Sequence, residues 1–402
     1  MMKQPYDLIL RGGTLIDPAQ GLHAQRDIAF AAGRVAAVAE SLANAEATEN
    51  IDVSGLLVAP GLIDLHVHVF EGVSHYGIAP DPTCLARGVT TAVDAGSAGA
   101  DTFDGFRKYV IEASATRLLA QLNISSQGML SPVIGELDEL KWADVGRALQ
   151  TVERHRDVIL GIKVRMTRGQ VVGEGVGMAP LYRAREAADA AGLPIMVHPQ
   201  GAYCASVDDI LALMKAGDIL THSFHGREHG ILDEYGQVRK AVLEARERGV
   251  LFDLGHGAGS FSWRVAETAL AGDSDRRFPP DTISSDLHIA NVNGPVFDLV
   301  TTVSKFLHLG MSLDEALRRV TSVPAQVIAT GPSPMAEEIG TLAIGACGDA
   351  VVLELETGEF RLTDCQGEMR MGRQRLTPRL AVGAGRLYHE EATPYHHHHH
   401  SH

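Results

Sequence analysis

Cysteine is scarce in this chain. Cys84, Cys204, Cys347 and Cys365 are the four among 402 residues. They are widely scattered, with no CxxC pair and no zinc-knuckle spacing, so neither a thiolate metal site nor a disulfide framework is indicated. No apolar run reaches the length of a membrane span. The opening MMKQPYDLILRGG lacks the basic and apolar regions of a secretory signal. Together these absences predict a reduced, cytoplasmic protein without a membrane partner. Positive charge is in deficit too. The 35 Lys and Arg against 50 Asp and Glu leave a net charge of −15, which argues against nucleic acid as a partner. A small-molecule substrate remains the expected partner.

Histidine is plentiful by comparison, at 19 residues. Six of these lie in the tail YHHHHHSH, which has the composition of a purification tag and is set aside for fold reasoning. The most informative of the rest stand in LIDLHVHVF, residues 62–70. A β-branched apolar run of this kind reads as a buried strand. Side chains alternate along a strand, so His66 and His68 project to the same face. Two buried imidazoles need partners, and a divalent metal satisfies both at once. Two ordinary core histidines would each need a dedicated acceptor.

The two ends of the chain share a texture. Residues 1–58 and 331–390 alternate short strand patterns with Gly and Pro turns, predicting one discontinuous β domain built from both termini. Residues 391–402 form the tail. The middle, 59–330, alternates apolar strands with helical patterns. Expected strands are 62–69, 90–97, 118–125, 160–166, 193–199, 219–224, 250–256 and 282–288. Helical patterns such as LYRAREAADAAG and VRKAVLEARERG lie between them and end in Gly. Eight strand–helix units predict an α/β fold, a (β/α)8 TIM barrel carrying a small β-sandwich domain. Segment 312–329, SLDEALRRVTSVPAQVIA, reads as a capped helix followed by a second helical turn with a packing role.

Catalytic groups of such barrels sit at the C-terminal strand ends. His66 and His68, Lys163, His198, His222 and Asp286 all fall there, spread over five strands. This constellation, with the split β domain, PGLIDLHVH and GTLAIGACGDAVVLEL, resembles the amidohydrolase superfamily over nearly the whole chain. Within it the chain looks similar to the amidohydrolase/deacetylase metallohydrolases, a dihydroorotase-like subgroup that includes esterases of O-acetyl hydroxy acids. The resemblance implies that His66, His68 and Asp286 bind one divalent metal and His198 and His222 a second. It also implies that Lys163, carboxylated by carbon dioxide, bridges them. Zinc is the expected ion, although these ligands accept manganese, iron or cobalt. A lysine carbamate is an anion with two oxygens and can bridge two cations, which an amine cannot. Water held by two cations turns acidic near neutral pH, and Asp286 would act as the catalytic proton shuttle. As a bland alternative, Lys163 would be an ion-paired core lysine and Asp286 a helix cap.

The substrate is less constrained. A cyclic amidase of the dihydroorotase kind carries His-x-His-x-Arg, whereas Phe70 stands at the fifth position here. Adenine-type deaminases generally lack the bridging lysine. The remaining reading is a deacylase or esterase, a deacetylase by resemblance, acting on a small carboxylate-bearing compound such as an O-acetyl α-hydroxy acid or an N-acyl amino acid. Arg165, two residues past Lys163, is the candidate carboxylate grip, with an ion pair to a loop carboxylate as its alternative. His75 and Tyr76 in GVSHYGIAP, and His225, His256 and His288 at strand ends, are further candidate substrate contacts. The Gly-rich GHGAGSFSW, 255–263, allows close backbone approach. Cys204 has no adjacent base and reads as a small buried residue. A non-catalytic metal scaffold is disfavoured, since all six ligand positions are filled. Symmetric homo-oligomers are common among metabolic barrels.

Overall fold

The structure is a computed structural model that describes residues 5–330 and 338–389. The N-terminal strands are β1 (Tyr6–Arg11), β2 (Thr14–Asp17), β3 (Leu22–Gln25), β4 (Asp27–Ala31), β5 (Arg34–Ala39), β6 (Ala47–Asp52) and β7 (Leu57–Pro60). Seven parallel strands follow: β8 (Leu62–Val67), β9 (Val89–Ala95), β10 (Arg117–Asn123), β11 (Ile159–Arg165), β12 (Ile195–His198), β13 (Ile219–Leu220) and β14 (Leu251–Phe252). The chain returns as β15 (Ala350–Thr363), β16 (Met369–Gly383) and β17 (Arg386–Leu387).

β8 to β14 form one curled sheet in sequence order. Helices such as Ala179–Ala191 cover its outside. That helix buries Leu181, Ala184, Ala187, Ala188 and Ala191, a stripe at helical spacing, and ends at Gly192 with φ 71°. Ser312 caps the helix Leu313–Arg318 by accepting from the Glu315 N–H. Helix Ser322–Ala329 follows, as the sequence led one to expect. Among the described residues no helix is long and apolar enough to cross a membrane.

The β domain comes from both ends of the chain. One sheet has the order β5-β4-β1-β6, and the second runs β17-β16-β15-β7-β2-β3, interleaving the termini. Leu8, Leu10, Phe30, Val58, Val352 and Val382 share its core. Buried Asp17 accepts the N–H of Leu342 at 2.7 Å and the Thr341 hydroxyl at 2.9 Å, fastening one terminus to the other. β7 pairs with β15 as far as Pro60, so the β domain keeps two residues more than the expected limit at 58. The expected limit at 331 and the tail at 391–402 lie outside the described residues.

The barrel is less regular than the expected eight strands. β13 and β14 hold two residues each, and 282–288 is no continuous strand. That segment closes the barrel through single bridges, Asp253 to Thr282 and Val67 to Leu287. The cause is local. His222 adopts φ 59° and Asp286 φ 49°, left-handed conformations that leave the strand region. Strained backbone at two polar residues on one barrel mouth marks the site.

Candidate metal centre and cavity

The six expected ligand residues line one cavity of about 510 Å³ at the C-terminal ends of the barrel strands. Each imidazole is held by a named partner. Asp253, fully buried, accepts hydroxyl protons from Thr221, Thr282 and Ser284. Thr221 has thus committed its proton to Asp253. Its oxygen, 2.9 Å from His66 Nδ1, accepts the ring N–H. The His66 proton therefore sits on Nδ1, and Nε2 presents a lone pair to the cavity. His68 Nδ1 is bonded to the Ser97 hydroxyl at 2.9 Å. His222 Nδ1 donates to the Gly255 carbonyl at 2.7 Å, again freeing Nε2. His198 Nε2 lies 3.1 Å from the Thr167 hydroxyl. The His198 and His222 rings meet with centroids 4.5 Å apart, and His66 and His222 at 5.0 Å. Burial holds both His198 and His222 well below the usual imidazole range, so both are neutral.

Asp286 Oδ1 stands 3.1 Å from His66 Nε2 and 3.1 Å from His68 Nε2. His66 Nε2 and Asp286 Oδ1 are buried atoms without a hydrogen-bond partner among the described residues. A lone pair facing a carboxylate oxygen inside a protein is repulsive unless a cation or proton lies between them. Ligand atoms of His66, His68 and Asp286 fall within 4.8 Å of one another, so this donor set fits a divalent ion. Burial favours protonation of Asp286, but a proton or cation held between its carboxylate and the facing His66 and His68 outweighs it and keeps the carboxyl well below its usual range; against its own burial the His66 imidazole is raised in turn by Asp286.

Lys163 is buried, and its Nζ donates to the Ala95 carbonyl at 2.9 Å. Burial pushes the amine down to about 8. Two glycines make room for these groups. At Gly96 a Cβ would stand 2.7 Å from Lys163 Cγ, and at Gly257 one would stand 2.5 Å from Asp286 Oδ2. Both have positive φ, so a side chain there is excluded twice over.

The expected substrate contacts divide. Arg165, Tyr76 and His288 line the cavity. Tyr76 stacks on His288 with centroids 4.1 Å apart. Arg165 is ion-paired with buried Glu136 at 3.0 Å, the loop-carboxylate alternative raised above. His75 packs on Tyr76 at 4.1 Å but does not line the cavity. His225 and His256 turn away from it. His225 accepts the Arg227 N–H on Nδ1, lies 3.2 Å from the His229 carbonyl through Nε2, and borders a separate pocket. His256 is buried against Lys305, with Nε2 2.7 Å from Nζ. Both stand at the expected strand ends, but the loops that follow rotate the rings out of the mouth. Phe70 packs on Phe106 at 4.9 Å inside the core.

Sequence reasoning missed several cavity residues. Gln200 and Arg227 follow His198 and His222 closely in HPQG and HSFHGRE, and that adjacency was the available signal. Glu136, which pairs with Arg165 without lining the cavity, lies in a loop with no motif, so nothing local announced it.

No family model matches the chain. A deacetylase of Agrobacterium fabrum is 35% identical over 351 residues, covering 87% of this chain and 83% of that protein. A deacetylase of Enterococcus faecalis is 34% identical over 387 residues, 95% of this chain and 99% of that one. Among solved structures, an adenine deaminase superposes with TM-score 0.84 at 34% identity, over 96% of this chain and all of that one. A dihydroorotase superposes with TM-score 0.83 at 32% identity, over 95% and 98%. These relatives, with a curled parallel barrel that gathers a candidate metal-ligand cluster at its mouth, define a hydrolase. The chain belongs to the amidohydrolase superfamily, among its deacetylase and dihydroorotase-like members.

Proposed function

We propose that this hydrolase is a binuclear metal-dependent deacylase. It would cleave an ester or amide, such as an acetyl group, of a small carboxylate-bearing substrate. O-acetyl α-hydroxy acids and N-acyl amino acids are the two forms it would take. The observation that carries the reading is the buried meeting of Asp286 Oδ1 with the Nε2 atoms of His66 and His68, both at 3.1 Å.

His66, His68 and Asp286 would hold one divalent ion and His198 and His222 another. Lys163 would stand between them as a carbamate, formed when its neutral amine takes up carbon dioxide and loses a proton. An amine lowered to about 8 is partly neutral at physiological pH, which favours that step. Zinc suits a nitrogen and oxygen set of this kind. Divalent ions, when bound, lower the pKa of water and polarise an acyl carbonyl. Asp286 would take the proton from the attacking water and deliver it to the leaving oxygen or nitrogen. The Tyr76–His288 stack would wall the acyl group from solvent.

Phe70 weighs against a cyclic amidase of the dihydroorotase type, since an aromatic packed on Phe106 offers no cation to a substrate carboxylate. Lys163 at the centre weighs against an adenine-type deaminase. The test is an assay of zinc-loaded protein on O-acetyl hydroxy acids, N-acetyl amino acids, dihydroorotate and adenine. Turnover of an acetylated acid with none of the two cyclic compounds supports the reading. Turnover of dihydroorotate or adenine alone rejects it.

A further inference from the structure

Three arginines line the cavity, Arg165, Arg168 and Arg227. Two already have anionic partners. Arg165 pairs with Glu136 at 3.0 Å and Arg168 with Glu228 at 2.8 Å. Among the described residues the Arg227 guanidinium has neither an ion pair nor a side-chain hydrogen bond; its backbone N–H alone is engaged, with His225.

The protein makes space for this free cation. A Cβ at Gly259 would stand 2.9 Å from Arg227 Nη2 and 3.4 Å from Cζ. Gly259 is outside the left-handed region, so its backbone does not require glycine. Its bare Cα serves the approach of the guanidinium.

A second unpaired group lies next door. Ser260, the residue after Gly259, has its hydroxyl 2.7 Å from Gln200 Nε2. Gln200 is 5% exposed and lines the same cavity, yet among the described residues its Oε1 has no hydrogen-bond partner. A buried amide oxygen left without a donor costs free energy, which a ligand that supplies the donor recovers. The loop at Gly259 and Ser260 therefore brings an unpaired cation and an unpaired acceptor to one side of the cavity. A carboxylate with an N–H or O–H on the adjacent carbon complements both.

We propose that Arg227 binds the substrate carboxylate and that Gln200 Oε1 accepts a hydrogen bond from the neighbouring donor, the amide N–H of an N-acyl amino acid or the hydroxyl of a released α-hydroxy acid, in place of the Arg165 grip. This rests on the deacylase reading for the reaction, but the binding itself does not depend on turnover. Arg165, neutralised by Glu136, then stiffens the wall rather than holding the ligand.

Calorimetry on the zinc-loaded full chain tests it with two probes, phenyllactate and its uncharged counterpart phenyllactamide. Wild-type protein is expected to bind phenyllactate roughly 10- to 100-fold more tightly. Arg227→Gln is expected to erase that preference and leave phenyllactamide binding within about twofold. The Arg227 side chain is exposed and unpaired, so this variant folds. Gln200→Leu is expected to weaken both probes alike, because both carry the hydroxyl. A preference that survives Arg227→Gln, or a wild-type protein without one, overturns the proposal. With an acetylated substrate in hand, Arg227→Gln raises KM and leaves kcat within a few-fold. Arg227-dependent binding without turnover of any acylated acid sinks the deacylase reading alone. Turnover with binding indifferent to Arg227 sinks the grip alone.

Discussion

Lys305 Nζ lies 2.7 Å from His256 Nε2 and also donates to the carbonyls of Pro295 and Thr363, at 3.0 and 2.6 Å. One buried ammonium thus joins the helix Leu299–His308, the loop that carries Gly257 past Asp286, and β15 of the β domain. Replacing it removes three bonds and strands two carbonyls. Lys305→Met is expected to destabilise the protein by about 3 kcal/mol. Thermal or urea unfolding reads this directly. A variant as stable as wild type would show that the strap carries no stability.

Lys163 is expected to control metal content. Lys163→Met removes the amine that would carry the carbamate while filling similar volume. Elemental analysis after zinc reconstitution should fall from two ions per chain to one or fewer, with activity lost in parallel. Two tightly held ions in Lys163→Met would contradict a bridging role.

Asp286→Asn separates two effects of one carboxylate. The amide keeps the size of the carboxylate but cannot balance the proton or cation held at His66 Nε2, 3.1 Å away. Without metal, the Asp286→Asn variant is therefore expected to melt lower than metal-free wild type. Its turnover should drop by roughly 10²- to 10⁴-fold, the range for loss of a proton-transfer group. Unchanged kcat would remove Asp286 from proton transfer, and a higher melting point would reject the charge pairing of Asp286 with His66.

His225 gives a pH dependence whose sign follows from its bonds. Nδ1 accepts the Arg227 N–H, so a second ring proton would break that bond in a buried site. Burial lowers this imidazole from 6.5 to about 4. Above pH 6.5 the ring is neutral folded or unfolded, and its stabilising effect is complete. As the pH falls from 6.5 towards about 4 the unfolded chain takes up a proton that the folded chain refuses, and about 3 kcal/mol is lost. Stability measured at pH 7 and pH 4.5 should differ less in His225→Gln than in wild type. Parallel profiles would reject the assignment.

Much of the barrel, and the order in which six polar residues reach its mouth, were legible because they are short-range signals. Alternation put His66 and His68 on one face, and strand–helix periodicity placed Lys163, His198 and His222 at successive strand ends. These depend on neighbours within a few residues. The deviations arose where distant residues compete for a backbone or a charge. The eighth strand is broken because Ser285 bonds buried Asp64, 221 residues earlier, while Asp286 turns left-handed. Arg165 is claimed by Glu136, 29 residues upstream, and His256 by Lys305, 49 residues downstream.

The sequence by itself determined the class of chemistry, since its motifs carry the resemblance to the amidohydrolase superfamily to which the relatives assign the chain. Tertiary structure decided which cation stays free for a ligand. A charge is available only when no folded neighbour has neutralised it, and the pairing of Arg165 and Arg168 that leaves Arg227 open exists only once the loops have closed around the barrel mouth.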